Sequence, residues 1–336
     1  MDKSLRFLFR CDCNKDNGFG HFSRCLSLAR TILLINNEVE ILFIGNYNQF
    51  ALSLLERNKF QALNYDDAKT IDSFTLINVA SNFDYLILDS YHFNQEFLNT
   101  LVGNKFKLIA IDDFNTLDYN GFDMVINFTI GADKFKYSSK HNALGTLNFI
   151  AKPELIELRE KNLLKSEDQI KNILLFLSGT EKTFNESKEL LRIIDECFNN
   201  VSIDYLTSID QPIGFISINN NTIQKHKPVY EIEKYYAETD LIISGGGMMN
   251  YESAYCCIPN LTFTQISEQQ LETKNMEKEN LTFEIGSLFD FNPKYTKERL
   301  QFFLNDRDFK LRFLHSTKHK FKTDSTLLLA ERLMTL

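Results

Sequence analysis

Short apolar runs recur along the chain, each followed by a polar turn or a stretch of helical period. In the first half they are "LRFLFRCD", "VEILFIG", "DYLILDSY", "FKLIAIDD" and "DMVINFT". Their apolar residues are consecutive rather than alternating, which predicts strands covered on both faces, as in a parallel sheet flanked by helices. A second series starts after residue 170 with "NILLFLSG", "VSIDYLTS", "GFISINN", "DLIISGGG" and "NLTFTQIS". It is interleaved with helical stretches such as "NESKELLRIIDECFNN". Strand and helix alternate twice over, so the pattern predicts an α/β protein of two Rossmann-like domains with mostly parallel sheets facing a cleft.

Between the two series lies "FIAKPELIELREKNLLKSEDQ", where Pro153 interrupts and a charged, helix-prone segment follows. The expected organisation is a first domain over residues 1–152, a linker over 153–168, and a second domain over 169–336. From Thr296 onward, "KERLQFFLNDRDFKLRFL" and "TLLLAERLMTL" read as two closing helices of the second domain. A chain of 336 residues suits two domains better than one.

Composition narrows the partners. A formal net charge of −8, with 24% charged and 43% hydrophobic residues, argues against a nucleic-acid partner held by a broad basic face. A small anionic ligand stays open, because backbone amides bind phosphate whatever the total charge. No uncharged apolar run approaches the ~18 residues of a membrane span. Charge interrupts the apolar N-terminal stretch, so no secretory signal and a cytoplasmic address are expected. The six cysteines form no C-x-x-C pair and no zinc-like set with histidine, which predicts reduced thiols and no metal site.

Each series contains one glycine-rich strand exit that opens onto a helix. These are "DNGFGHFSRCLSLA", with Gly18, Gly20 and His21, and "SGGGMMNYESAYCCIPN", with Gly245, Gly246 and Gly247. Glycine lets backbone N–H groups approach a ligand, and the helix N-terminus behind it presents unpaired donors and partial positive charge. A phosphate suits such a turn. Ligands of open α/β sheets collect beyond the carboxyl ends of the strands, so both loops are expected on one cleft.

Arg10, Asp12, Gly18, Gly20, His21 and Arg24 resemble the R-x-D…G-x-G-H-x-x-R-x-L-x-L-A signature of the nucleotide-sugar hydrolases of pseudaminic acid biosynthesis. "LDSYHFN", "IAIDDF" and "AKPELIELRE" are similar to later segments of that family. So is "DLIISGGGMMNYESAYCCIPNL", followed by "SEQQ" where E-N-Q is usual. The resemblance spans about residues 6 to 286. It implies the GT-B architecture and hydrolysis of UDP-2,4-diacetamido-2,4,6-trideoxy-β-L-altropyranose to free sugar and UDP, with water as acceptor and no cofactor.

A diphosphate leaves readily, so such a reaction asks for one base and one anion site rather than the paired carboxyl groups of ordinary glycosidases. His21 suits the base. Asp12, at the end of the first strand, either orients His21 or caps its turn. Tyr91 is expected to help hold the attacking water. Arg24 either meets a phosphate or anchors a loop carboxylate. Gly245 to Gly247, with the helix opening at Met248, form the expected anion site, and Glu252 falls where a carboxylate takes ribose hydroxyls. Gln269 stands at the water-positioning place with Gln270 beside it, and Asp113 and Asn127 are expected to line the sugar pocket.

Several positions depart from the family pattern. Met248, Met249 and Asn250 replace small hydroxyl residues, Gln269 replaces an asparagine, and Glu181 stands near an expected aspartate. Two other readings compete: a glycosyltransferase of the same architecture and a non-catalytic nucleotide-sugar binding protein. The first 60 residues lack the basic and apolar cluster expected of a membrane-acceptor transferase. Subunit number is not legible.

Overall fold

The structure, a computed structural model, describes residues 4–14, 19–67, 71–164, 169–177, 184–207, 212, 214, 217–227, 229, 231–265 and 267–336. It has two compact units: Met1–Pro153 with Asp324–Leu336, and Glu154–Thr323.

The first unit is built on strands β1 (Arg6–Cys11), β2 (Glu40–Gly45), β3 (Gln61–Asn64), β4 (Tyr85–Asp89), β5 (Lys107–Ile111), β6 (Met124–Asn127) and β7 (His141–Leu144). Their order is β3-β2-β1-β4-β5-β6-β7, with every pairing parallel. Helices α1 (Gly20–Ile35), α2 (Gln49–Arg57), α3 (Ser73–Ala80) and α4 (Gln95–Leu101) connect the earlier strands. All five residues of β4 are buried, as the unbroken apolar run predicts for a strand covered on both faces. Asn48, Asp72 and Asn94 cap α2, α3 and α4 by accepting from the backbone N–H three residues on.

The second unit begins with α5 (Glu154–Leu163). It continues through β8 (Asn172–Phe176), α6 (Phe184–Cys197), β9 (Ser202–Leu206), β10 (Thr222–His226), α7 (Glu233–Tyr236), β11 (Leu241–Ser244) and α8 (Met248–Tyr255). β12 (Asn260–Thr264), α9 (Gln270–Lys278), β13 (Phe283–Ser287), α10 (Pro293–Asn305) and α11 (Phe309–Lys320) complete it. The strand order is β10-β9-β8-β11-β12-β13, again wholly parallel. In each sheet the connections from two central neighbours, β1 and β4 or β8 and β11, leave in opposite directions. That leaves a crevice at the carboxyl ends of those strands.

The expected domain limits shift at both ends of the second unit. Most of the expected linker is α5, held in the second unit by the buried Arg159, which donates to the carbonyls of Tyr255, Thr317 and Phe321. The C-terminal helix α12 (Ser325–Met334) belongs to the first unit. It packs on α1, and Ser325 Oγ donates to the Phe149 carbonyl at 2.7 Å. Three helices close the chain where two were expected, because the run from Lys297 breaks after Asn305. Within "GFISINN" the described residues form no strand, and the outer strand is instead the polar β10.

Candidate functional site

The first crevice brings four predicted residues, His21, Arg24, Tyr91 and Asp113, together around one that was not singled out. Asp89 ends β4, opposite Cys11 in the register, and is closed to solvent. His21 and Arg24 stand one turn apart at the start of α1, so both side chains fall on the same side of the helix. His21 Nδ1 lies 2.6 Å from Asp89 Oδ1, and the Arg24 Nε and Nη2 atoms donate to the two Asp89 oxygens at 2.6 Å each. The other edge of the same guanidinium donates to Asp113 at 2.8 and 3.0 Å. Arg24 also lies over the Phe128 ring, 5.4 Å from its centroid.

Burial by itself would raise the Asp89 carboxyl. The Arg24 guanidinium and the His21 ring, through charge and hydrogen bonds, outweigh it and hold the group at about 2. Burial likewise opposes the charge on Arg24, yet Asp113 and Asp89 push its guanidinium well above its ordinary range. An ionised Asp89 can only accept, so the proton between the two groups sits on His21 Nδ1, and Nε2 is the ring atom that gains or loses the second proton. The His21 side chain is 14% exposed.

Several expected roles are redistributed. The carboxylate on His21 is Asp89, not Asp12. Asp12 is buried, accepts from Arg10 Nη1 at 2.7 Å and from the Asn46 N–H at 2.8 Å, and its Oδ2 has no partner among the described residues. Arg24 is committed to two carboxylates and anchors them rather than reaching a phosphate. Tyr91 stands edge-on to His21, ring centroids 4.3 Å apart, and its hydroxyl donates to Asp113, so it would meet a water as an acceptor only. Burial of that hydroxyl end and the Asp113 charge push the phenol up. Asp113 thus joins the cluster, whereas Asn127 is fully buried and bonded to Tyr137 and Thr129, closed to a sugar. Gly20 opens α1, and Gly18 lies outside the described residues, as does Glu181. Asp89 falls within "LDSYHFN", and its place at the end of a fully apolar strand was the signal that could have marked it.

The second crevice holds the triglycine turn after β11. Gly246 and Gly247 have φ of +100° and +65°, which side-chain-bearing residues rarely adopt, and Gly247 precedes the first residue of α8, Met248. A Cβ on Gly245 would lie 2.5 Å from Gln265 Cγ and 2.8 Å from the Leu177 carbonyl oxygen. The Gln269 amide lies across the other two glycines. Its Oε1 would be 3.2 Å from a Cβ on Gly246 and its Nε2 3.1 Å from one on Gly247. That Oε1 is buried and has no hydrogen-bond partner among the described residues. Gln270 begins α9 beside it.

Asn250 replaces a small hydroxyl residue yet is well used, since its side-chain oxygen accepts from Ser244 at 2.7 Å and from Thr262 at 3.1 Å. Glu252 is buried and accepts from the Tyr236 hydroxyl at 3.2 Å, so in this structure it points into the unit rather than out to solvent. Burial and that carboxylate push the Tyr236 phenol up. Among the described residues no helix is long and apolar enough to cross a membrane.

No family model matches the sequence. An uncharacterised protein of Methanocaldococcus jannaschii is 23% identical over 269 residues, 76% of this chain and 54% of that protein. The chain therefore spans about half the length of the curated relative it matches. Among solved structures, MurG of Acinetobacter baumannii superposes with a TM-score of 0.70 at 12% identity, covering 99% of this chain and 100% of that one. The UDP-GlcNAc 2-epimerase of Neisseria meningitidis bound to UDP-GlcNAc gives 0.66 at 12% identity, covering 99% and 100%. CalG4, the calicheamicin glycosyltransferase, gives 0.66 at 11%, covering 99% and 98%. At these identities the likeness speaks for the fold alone. With its two wholly parallel sheets, the chain has the GT-B type of architecture.

Proposed function

We propose that the protein is a nucleotide-sugar enzyme that transfers the sugar of a UDP-sugar to water, with His21 as the general base. The observation that carries this reading is the 2.6 Å pair of His21 Nδ1 and a fully buried, ionised Asp89 at the crevice of the first sheet. Asp89 fixes the tautomer, so Nε2 is left to take a proton from water as the water oxygen bonds the anomeric carbon. The anomeric C–O bond breaks, its electron pair leaves with the diphosphate, and the products are free sugar and UDP. Asp89, Asp113 and Arg24 together carry one formal negative charge, which the proton gained by His21 neutralises.

In this reading the triglycine turn and the N-terminus of α8 take the diphosphate through backbone N–H groups, since no hydroxyl follows the glycines. Gln269, whose buried Oε1 has no partner among the described residues and lies against that turn, accepts from an N–H or O–H of the ligand. Glu252, which accepts from the Tyr236 hydroxyl through Oε2, would take ribose hydroxyls on its remaining acceptor sites. One neighbour in fold, the Neisseria meningitidis epimerase, is bound to UDP-GlcNAc, which supports this class of ligand. The sequence resemblance supports UDP-2,4-diacetamido-2,4,6-trideoxy-β-L-altropyranose in particular.

A glycosyltransferase has equal support from the likeness to CalG4, the calicheamicin glycosyltransferase. The same base would then deprotonate an alcohol. UDP release measured with and without an added acceptor separates the two, because the hydrolase turns over in water alone and the transferase stays idle until an alcohol is supplied.

A further inference from the structure

Beside the base the first unit displays two large aromatic rings to solvent. Tyr91 is 57% exposed and Phe114 53%, with ring centroids 5.0 Å apart, and Tyr91 touches His21 edge-on, so the three rings are contiguous. Their display is built in. Phe114 rides on a turn pinned by Asp112, which accepts from the Asn115 N–H at 2.7 Å and from the Tyr119 and Tyr137 hydroxyls at 2.9 and 2.5 Å. Asn115 holds a φ of +53°, a left-handed conformation that asparagine tolerates and most residues do not. Tyr91 is oriented from the other side by its bond to Asp113, which leaves its ring as the surface on offer.

We propose that Tyr91 and Phe114 form a ledge that takes the C–H-bearing face of the pyranose ring whose anomeric carbon His21 serves. The inference rests on the reading of His21 as the base and adds to it the residues that grip the sugar. A rigid aromatic face removes water from apolar C–H groups at little cost in side-chain entropy, and it is continuous with the imidazole. Phe114 binds without touching the reacting atoms and is therefore a specificity residue.

The test is calorimetric titration of the full chain with UDP and with UDP-2,4-diacetamido-2,4,6-trideoxy-β-L-altropyranose, UDP-glucose, UDP-galactose, UDP-N-acetylglucosamine and UDP-N-acetylgalactosamine. Wild-type protein should bind at least one UDP-sugar more tightly than UDP. Phe114→Ala should cut that gain about five- to tenfold and leave UDP affinity unchanged, while Phe114→Trp keeps the gain. A Phe114→Ala protein that retains the full gain, or a wild type that binds no sugar more tightly than UDP, overturns the ledge but not the nucleotide site. A wild type that binds none of the panel overturns the functional reading and the ledge together. Sedimentation velocity covers the remaining occupant, since a dimer that Phe114→Ala turns into monomer would make the rings a contact between copies and also overturn the ledge.

Discussion

A single carboxylate, Asp89, joins the imidazole, the guanidinium and, through Arg24, the second carboxylate Asp113. Asp89→Asn can no longer force the proton onto His21 Nδ1, so turnover should fall by about 10³ or more while UDP affinity holds. Single-turnover kinetics beside calorimetry on the folded variant would check this. Arg24→Met strands two carboxylates in a buried place and should cost about 3–5 kcal/mol of stability in denaturant titrations. The Asp89 group also sets an acid limit. Its folded value of about 2 lies below the ordinary 3.8, so its contribution, on the order of 2 kcal/mol, is complete above about pH 4. It is lost as the pH falls toward 2, and Asp89→Asn should flatten that part of the stability profile. Sequence pattern placed His21 and Arg24 on one helix face, but nothing local says which strand end will meet them. Asp12, nearer in the chain, faces Arg10 and Asn46 instead.

At the scale of elements, the long apolar strands were legible because burial on both faces leaves an unbroken hydrophobic run. The outer strands were not. β3, β7 and β10 carry polar residues at a sheet edge, and β13 contains Gly286, so none has the composition that marks a strand. The triglycine turn was legible as a backbone device, and its geometry makes a sharp prediction. Gly247→Ala puts a Cβ on a residue with φ of +65° and 3.1 Å from Gln269 Nε2, which should weaken UDP binding by about tenfold with the rest of α8 intact. Equal UDP affinity in the two proteins would separate the diphosphate from this turn.

At the scale of the whole molecule, the strand and helix alternation revealed two sheets but not where the chain's end goes. Nothing in "TLLLAERLMTL" distinguishes a helix of one unit from a helix of the other. The choice is made by tertiary packing, with α12 seated on α1 and its first residues bonded to the Phe149 and Ala151 backbone. Truncation after Thr323 should therefore release amide protection in α1 and β1, as read by hydrogen exchange, and leave β8 and β11 protected. Loss of protection confined to the second unit would contradict that assignment.

The account turns on a histidine that takes a proton from water, and the most direct measurement is UDP release from a UDP-sugar with no acceptor present. It should be made on wild-type protein and on His21→Ala at matched, saturating substrate. Wild type should turn over in water alone, and His21→Ala should be slower by about 100-fold or more with UDP affinity unchanged. Equal rates for the two proteins, or release that begins only when an alcohol is added, would contradict it.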